Sequence, residues 1–340
     1  MSMKHKVGFI GCGKRARSHA VGVRAEERCK VTALADVNRE SAAKLDQDFA
    51  FGAALYTDYR EMLAKERPEV VVTCLWTPLH LQVFRDCVQA GVKAVLSEKP
   101  MAPSWGECRE MARLAEESNC QLTFSHQRRF AKGNLSARKL IEEGRFGAVL
   151  RMDLYSPPTL LDCGTHTFDQ ALSFNGETPA KWVLGTVDAS QPLNWFDVRS
   201  ESLATGLVVF ANGVRSYIQV GGPDKDMQTG VRVHGTKGFI EVDWDGNFGR
   251  AALYDDPDWK PLQEPPDEEQ VLSDYVRNAL DCLASGAEPV LSHRKALRAA
   301  EIIFALYESM RRRARVELPL TVDDNAFITM FSAGAFGQHA

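Results

Sequence analysis

Short apolar runs alternate with amphipathic segments throughout the first third of the chain. The runs with strand character are KVGFI (6–10), VTALAD (31–36), VVVTCLW (70–76), KAVLS (93–97) and QLTFS (121–125). The segments between them are rich in alanine and in charge, as helices are. Strands that are apolar along their whole length and alternate with helices are typical of parallel sheets covered on both faces. The pattern therefore predicts an α/β fold with five βα repeats in a doubly wound sheet.

A different pattern follows residue 126. Predicted strands rich in Val, Ile, Leu and Tyr lie at 148–156, 181–189, 203–221, 229–244 and 250–255. Within them, FANGVRSY and HGTKGF place Gly and Asn where hairpin turns need positive φ. These features predict a mostly antiparallel sheet, followed by helices at 267–286 and 293–314. Because 340 residues exceed what one core usually organises, we predict two domains, 1–126 and 127–340.

A glycine-rich turn joins the first predicted strand to the first predicted helix. In VGFIGCGKRARSHA, Gly11 permits the tight turn, Gly13 lets the backbone approach a pyrophosphate, and Ala16 allows close packing of helix on strand. Asp36 closes the second strand, where a carboxylate can bind the ribose 2′-hydroxyl. Together these features predict a Rossmann dinucleotide-binding domain over 1–126. The alternative is a glycine turn and a capping aspartate in a domain that binds no nucleotide.

The charge beside the ribose distinguishes the two nicotinamide dinucleotides. Asp36 would repel a 2′-phosphate, which favours NAD. Arg39 and the Lys14–Arg15 pair can offset that repulsion, so NADP stays open. We therefore predict NAD as the cofactor, with NADP as the alternative.

Two charged residues and a proline follow the fourth predicted strand, in AVLSEKPMAP (94–103). Ligands of open α/β sheets bind beyond the carboxyl ends of the strands, and Lys99 lies just past such an end. Pro100 disfavours helix at the preceding residue and so fixes where Lys99 points. Lys99 is therefore a candidate ligand-site residue. The alternative is a solvated lysine paired with Glu98.

A second candidate cluster lies in LLDCGTHTFDQAL. Asp162, His166 and Asp169 follow an i, i+4, i+7 spacing, which predicts that they share one helical face. Imidazole is suited to accept a proton near neutral pH, and a carboxylate one turn away can orient it. In isolation, the motif favours a helix capped by Asp162 with His166 packed in the core. No third ligand shares the motif, so we predict no metal.

The order of these motifs resembles that of the Gfo/Idh/MocA (glucose–fructose oxidoreductase / inositol dehydrogenase) family. The glycine loop, TPLH (77–80), AGVKAVLSEKPMA (90–102), DCGTHTFD (162–169) and VHGTKGFIEV (233–242) carry the resemblance, which spans nearly the whole chain. It implies a Rossmann domain followed by an α/β domain for substrate binding and oligomerisation, with a large, mostly antiparallel open sheet. One departure is the short SPPTLL segment (156–161), where family members commonly have a longer glycine-rich stretch.

The resemblance also implies roles for single residues. Lys99 would touch the nicotinamide ribose and the substrate hydroxyl, Glu98 would lie in the cofactor site, and a cis Lys99–Pro100 bond is allowed. Arg129, in SHQRRF, would lie near the nicotinamide, with Arg128 as the alternative. The predicted cofactor-binding residues are Gly11, Cys12, Gly13, Lys14, Arg15, Ala16, Asp36, Asn38, Arg39, Trp76, Thr77, Pro78, His80, Glu98, Lys99 and Arg129.

We predict an NAD(P)-dependent oxidoreductase that transfers a hydride between nicotinamide and a carbinol of a sugar, polyol or sugar derivative. The predicted catalytic residues are His166, which exchanges the hydroxyl proton, Lys99, which stabilises the alkoxide charge, and Asp162, which positions substrate and imidazole. Two alternatives stay open: an enzyme that oxidises transiently with NAD to eliminate or hydrolyse a glycoside, and a non-catalytic NAD(P)-binding regulator. The residues do not determine the sugar, the oxidised carbon or the direction.

Composition limits the partners and the compartment. Lys and Arg number 41 against 45 Asp and Glu, which gives no general reason to expect binding to nucleic acid or to anionic membrane. Eight scattered cysteines without a CxxC pair fit reduced thiols. A strand that begins almost at the N-terminus and the lack of a long apolar stretch predict a cytoplasmic protein. The strands at 203–221 and 229–244 belong to a sheet with few helices to cover it, which predicts a homodimer or homotetramer.

Overall fold

The computed structural model describes residues 4–222, 228–256, 258–261 and 267–336. These residues form two compact units. The first contains the chain up to Ala102, together with Glu107–Gln127 and Glu268–Ala296. The second contains Pro103–Gly106, Arg128–Asp267 and the chain from Leu297 onward. The helices within the described ranges include none that is long and apolar enough to cross a membrane.

The first unit is built on a six-stranded parallel sheet, which confirms the predicted parallel arrangement and contains one strand more than the five predicted. Its strands are β1 (His5–Ile10), β2 (Cys29–Ala35), β3 (Ala54–Tyr56), β4 (Val70–Thr73), β5 (Ala94–Ser97) and β6 (Gln121–Phe124). Their order across the sheet is β3-β2-β1-β4-β5-β6, and every neighbouring pair is parallel. The order reverses direction between β1 and β4, so a crevice for ligands is expected beyond the carboxyl ends of these two strands.

Helices connect these strands. They are α1 (Lys14–Ala25), α2 (Arg39–Phe49), α3 (Tyr59–Glu66), α4 (His80–Gln89) and α5 (Trp105–Ser118). The loops at the carboxyl edge also contain short 3₁₀ turns at Thr77–Leu79 and Gln127–Phe130. Strand β3 was not predicted, because it is only three residues long and partly exposed, without the apolar run that marks the other five.

The second unit is built on an eight-stranded sheet. Its strands are β7 (Val149–Ser156), β8 (Ala180–Asp188), β11 (Leu203–Phe210), β12 (Arg215–Gly221), β13 (Gly230–Gly235), β14 (Gly238–Asp243), β15 (Phe248–Leu253) and β16 (Val316–Glu317). The order is β15-β14-β13-β7-β12-β11-β8-β16. All neighbouring pairs are antiparallel except β7 and β12, which are parallel, so the prediction of a mostly antiparallel sheet is confirmed. A separate hairpin joins β9 (Leu193–Trp195) to β10 (Val198–Ser200).

One face of this large sheet is packed against helix. The helices of the unit are α6 (Lys132–Glu142), α7 (Thr165–Phe174), most of α9 (His293–Arg312), and α10 (Ala326–Ser332). Leu306 of α9 lies so close to the sheet that a Cβ added at Gly185 or Gly206 would meet its Cδ2 at 2.7 or 2.6 Å. On the other face, Leu184 and Tyr217 are 45% and 44% exposed.

The helix α8 (Glu268–Ser285) belongs to the first unit, whereas the sequence predicts a single second domain over 127–340. It packs on α1 so tightly that a Cβ at Gly22 would lie 2.4 Å from the carbonyl oxygen of Leu272. Periodicity predicts the buried face of such a helix but not the sheet that the face covers. The chain therefore returns to its N-terminal unit after β15, and it adds the last strand of the second sheet, β16, only later.

Candidate active site

The glycine loop lies at the carboxyl end of β1, where the sheet order reverses. Gly11 has φ +84°, and a Cβ there would lie 2.3 Å from the carbonyl oxygen of Cys74, so the turn requires glycine. Gly13 precedes α1, and no described heavy atom lies within 4 Å of the position that its Cβ would take. Ala16 is buried in the contact between α1 and the sheet. The tight turn at Gly11 and the close packing at Ala16 agree with the motif, and approach of a pyrophosphate to Gly13 stays a prediction.

The carboxylate of Asp36 is attached to this loop. One oxygen accepts a hydrogen bond from the backbone N–H of Cys12 at 2.7 Å, and the other accepts from the N–H of Asn38 at 2.8 Å. Asn38 caps α2 through its side-chain oxygen, which accepts from the N–H of Glu40. Lys14 and Arg39 are exposed nearby in sequence, at the first positions of α1 and α2. Asp36 therefore holds the loop and the start of α2 together.

Glu98 joins the segment after β5 to α1. Its Oε1 accepts a hydrogen bond from Nε of Arg15 at 3.0 Å and lies 2.7 Å from Nε2 of His19. Burial disfavours the charged carboxylate, yet the hydrogen bond from His19 and the charges of His19, Arg15 and Lys99 lower the pKa of Glu98 to about 2. Glu98 is therefore an ionised anchor for the segment that carries Lys99. Its direct contact with a cofactor stays a prediction.

Lys99 follows this anchor at the carboxyl edge of the sheet. Its side chain is only 8% exposed, and the Lys99–Pro100 bond is cis, as the family resemblance allows. The buried position removes the alternative of a solvated surface lysine. A buried lysine at the carboxyl edge of a parallel sheet lies where ligands of this fold bind.

The loop after β4 has both exposed and buried members. Trp76 is 59% exposed, whereas Thr77 is buried and Pro78 occupies the start of the short 3₁₀ turn. His80 lies 3.2 Å from the carbonyl oxygens of both Leu75 and Met101, and its burial lowers the pKa of the imidazole. The buried His80 ring thus lies between the loops after β4 and β5. Its predicted role in shaping the pocket is compatible with this structural one.

In the second unit, Asp162 and His166 are both buried, but they do not share a regular α-helical face. Leu160–Gly164 forms a π-helical turn, and α7 begins only at Thr165. The hydroxyl oxygen of Thr159 accepts from the N–H of Asp162 at 3.1 Å, so Thr159, rather than Asp162, caps the segment. The predicted common face holds for His166 and Asp169, which both lie in α7. It is wrong for Asp162, because the wider π turn changes the angular spacing between Asp162 and the residues that follow.

Asp169 and Arg129 form a buried ion pair within the second unit. Nε and Nη2 of Arg129 donate to the two carboxylate oxygens of Asp169 at 2.6 and 2.9 Å, and Nη1 donates to Glu177. This bidentate arrangement fixes α7 against the segment before α6. The geometry does not support Arg129 as a cofactor-binding residue, because these carboxylates occupy its donors. The resemblance alone suggested that role.

Arg128, the alternative to Arg129, belongs to an aromatic cluster with His166. Its guanidinium lies 4.5 Å from the ring centre of Trp244, and Nη1 donates to Asp245 at 3.1 Å. The rings of His166 and Trp244 are nearly perpendicular, with centres 4.8 Å apart. Trp244 lies just beyond β14, in a turn that packs on α6: a Cβ at Gly133 would overlap the carbonyl oxygen of Gly246. The indole therefore orients the imidazole from a distant part of the chain.

Comparison with known proteins agrees with the two-unit fold. The model of the oxidoreductase family with an NAD-binding Rossmann fold matches residues 5–126, and the model of the C-terminal alpha/beta domain of the same family matches residues 138–318. The chain belongs to the Gfo/Idh/MocA oxidoreductase family. The resemblance inferred from the motifs is thus confirmed, together with the fold class, the oxidoreductase assignment and NAD as the cofactor.

Several named proteins of the Gfo/Idh/MocA family are similar to this chain. It is 24% identical to a D-apiose dehydrogenase of Paraburkholderia graminis, over 98% of this chain and 94% of the relative. It is 30% identical to an inositol 2-dehydrogenase of Pseudomonas savastanoi pv. phaseolicola, over 44% of this chain and 45% of the relative. The structure of the WlbA dehydrogenase from Bordetella pertussis, in complex with NADH and UDP-GlcNAcA, shares the fold with a TM-score of 0.77 at 22% identity. That match covers 94% of this chain and all of the other.

The residues of this Gfo/Idh/MocA chain fit the cofactor of the family. The open side of Gly13 gives space for a phosphate at the N-terminus of α1, where backbone N–H groups and the helix dipole favour anions. Asp36 lies beside the same loop, at the position expected for a ribose contact. The described residues contain no group of three or more His, Cys, Asp or Glu side chains arranged to hold a metal ion.

Sequence reasoning missed several residues that support the site. His19 was overlooked, although it interrupts the stripe of small apolar residues Ala16, Ala20 and Val23 on the buried face of α1, which is a readable signal. Its ring also packs edge-on against Tyr275 of α8, with centres 6.0 Å apart. Trp244 has no comparable local signal, because its importance arises only from packing.

Proposed function

We propose that this protein transfers a hydride between NAD and a carbinol of a sugar, polyol or sugar derivative, with His166 and Lys99 acting on the substrate hydroxyl. The observation that supports the proposal is the set of buried functional groups that each unit contains. One carries the dinucleotide loop with a buried lysine beside it, and the other carries a buried imidazole preceded by a buried carboxylate. The sugar dehydrogenases among the relatives support the substrate class.

In the oxidative direction, the carbon–hydrogen bond of the carbinol breaks and its electron pair leaves with the hydrogen. NAD, when bound, supplies the acceptor for that hydride at its nicotinamide ring. His166 accepts the hydroxyl proton, and the positive charge of Lys99 stabilises the alkoxide that develops on the oxygen. Asp162 orients the imidazole and offers an acceptor for another substrate hydroxyl. Reduction of a keto sugar follows the same path in reverse.

Glu98 places a negative charge next to Lys99. Glu98 is buried, ionised and anchored by Arg15 and His19, so its negative charge lies next to Lys99 in the chain. The positive charge of a lysine suits electrostatic stabilisation of an alkoxide, and an imidazole suits acceptance of a proton near neutral pH. We therefore propose that His166 is the base and Lys99 the electrostatic partner.

A substrate screen tests this function. Reduction of NAD and NADP is followed by absorbance against a panel of polyols, aldoses and sugar acids, and we expect turnover with NAD for at least one of them. Tightly retained NAD without net cofactor turnover, combined with cleavage of a glycoside, would replace the proposal with transient oxidation. Tight NAD binding with neither reaction would indicate the non-catalytic regulator.

We also propose that the protein is a homodimer or homotetramer. The exposed face of the eight-stranded sheet carries Leu184 and Tyr217, which border a groove of about 720 Å³ that continues to Met310 and Arg313. An apolar strip of this kind on a sheet is typical of a subunit interface.

A cytoplasmic location is part of the proposal as well, because all eight cysteines are free, as expected in a reducing compartment.

A further inference from the structure

A fully buried carboxyl group lies behind the π-helical turn of the second unit. Glu201, between β10 and β11, is 0% exposed. Its Oε1 accepts a hydrogen bond from the backbone N–H of Leu160 at 2.7 Å, and its Oε2 accepts from the hydroxyl of Tyr307 at 2.6 Å. Both partners are neutral groups. The carboxyl thus joins the hairpin region, helix α9 and the start of the π turn.

The residue that Glu201 holds is the first of the turn Leu160–Gly164. Two further hydrogen bonds close the same turn: the N–H of Asp162 donates to Oγ1 of Thr159, and the N–H of Gly164 donates to the carbonyl oxygen of Thr159 at 3.1 Å. Asp162 lies within the turn and His166 in the first turn of the helix that follows. A change in the direction of the Leu160 N–H would therefore rotate both side chains.

The polar nature of this anchor requires an explanation beyond packing. A buried carboxyl group costs stability unless its hydrogen bonds are made, and an apolar residue would fill the same space at lower cost. Burial raises the pKa of Glu201 to about 7, and Tyr307 of α9 is the titratable group in contact with it. The ionised carboxylate can accept hydrogen bonds from both donors. When Glu201 is protonated, one of its oxygens carries the proton and becomes a hydrogen-bond donor.

We propose that Glu201 is a positioning residue for the reaction: through the Leu160 N–H it sets the orientation of Asp162 and His166. The inference rests on the proposed function of these two residues. It assigns no contact between Glu201 and the substrate. Glu201 acts only through the turn, so its loss should change the catalytic rate more than it changes cofactor binding.

The test compares Glu201→Gln with Glu301→Gln, a matched control. Glu301 is also a carboxyl with a pKa raised by burial and it also accepts from a backbone N–H, that of Leu320 at 2.9 Å, but it lies on α9 and holds a different segment. We expect Glu201→Gln to lower kcat by about 10-fold, since small misplacements of reacting groups have effects of this size. Its affinity for NAD should be unchanged, and Glu301→Gln should keep both values. Equal kcat values in the two variants would overturn the proposal.

A second measurement does not depend on the substrate. In NMR spectra of the whole protein labelled at leucine and histidine, the Leu160 amide should titrate with a midpoint near 7, the pKa of Glu201, and should lose that titration in Glu201→Gln. The imidazole signals of His166 should shift in Glu201→Gln and not in Glu301→Gln. Unmoved His166 signals would overturn the positioning role even if no substrate were found. If Glu201→Gln does not fold, Tyr307→Phe, which removes one of the two hydrogen bonds, should shift the same signals.

Discussion

The buried carboxyl of Glu201 predicts an unusual dependence of stability on pH. Its pKa is about 7 in the folded protein, against 4.5 for an ordinary glutamate. Between these two values the folded state binds more protons than the unfolded state, so this group makes the protein less stable as the pH rises. At about 1.36 kcal/mol per pH unit, the difference corresponds to about 3 kcal/mol, a large fraction of a typical unfolding free energy. The full decrease in stability is reached only above about pH 7, the pKa of Glu201 in the folded protein.

Urea unfolding at pH 5 and pH 8 measures this effect. Glu201→Gln cannot ionise, so its stability relative to the parent protein should increase by about 2–3 kcal/mol from the lower pH to the higher. Glu143→Gln is the control, because Glu143 is exposed at the end of α6, and its stability should parallel that of the parent at both pH values. A difference between Glu201→Gln and the parent that is equal at pH 5 and pH 8 would refute the reasoning.

Three further outcomes are expected. NAD should bind more tightly than NADP in titrations, and Asp36→Asn should narrow the difference by removing the charge beside the 2′ position; tighter binding of NADP to the parent would contradict this. Light scattering should show a dimer or tetramer at micromolar concentration, and the double variant Leu184→Asp, Tyr217→Asp should be shifted toward monomer. A double variant with the mass of the parent oligomer would show that the sheet face is not the interface. Trp244→Leu should lower kcat by about 10-fold while Trp244→Phe, which keeps a ring against His166, should lose much less; equal losses would exclude the orienting contact.

Much of the fold follows from local features of the sequence. The strands of the first unit are buried on both faces, so their apolar runs are unambiguous, and glycines such as Gly11 mark the turns that need positive φ. The strand β3 is not predicted by the sequence, because its three partly exposed residues form no apolar run. The membership of α8 in the first unit depends on its contact with Gly22, which lies far away in the sequence.

The candidate site was predictable where the chemistry is local and not where it depends on distant contacts. The loop residues Gly13 and Asp36 could be identified because a single short motif defines their roles. Glu98 and His19 are 79 positions apart, and Glu201 and Tyr307 are 106 positions apart, so no window of sequence shows that they meet. The role of Arg129 was transferred by resemblance, and the structure instead places it in an ion pair with the second unit's own helix.

The central claim is that His166 is the base and Lys99 its electrostatic partner in one hydride transfer. The most direct measurement is kcat for His166→Ala, Lys99→Ala and the double variant on an established substrate, with NAD affinity determined in parallel. Each single change should lower kcat by about 10²-fold or more, and the double variant should lose less than the product of the two, because residues that act on one transition state are not additive. His166→Ala should bind NAD normally and lose one ionisation from its pH–rate profile. A folded His166→Ala protein with nearly normal kcat would contradict the account.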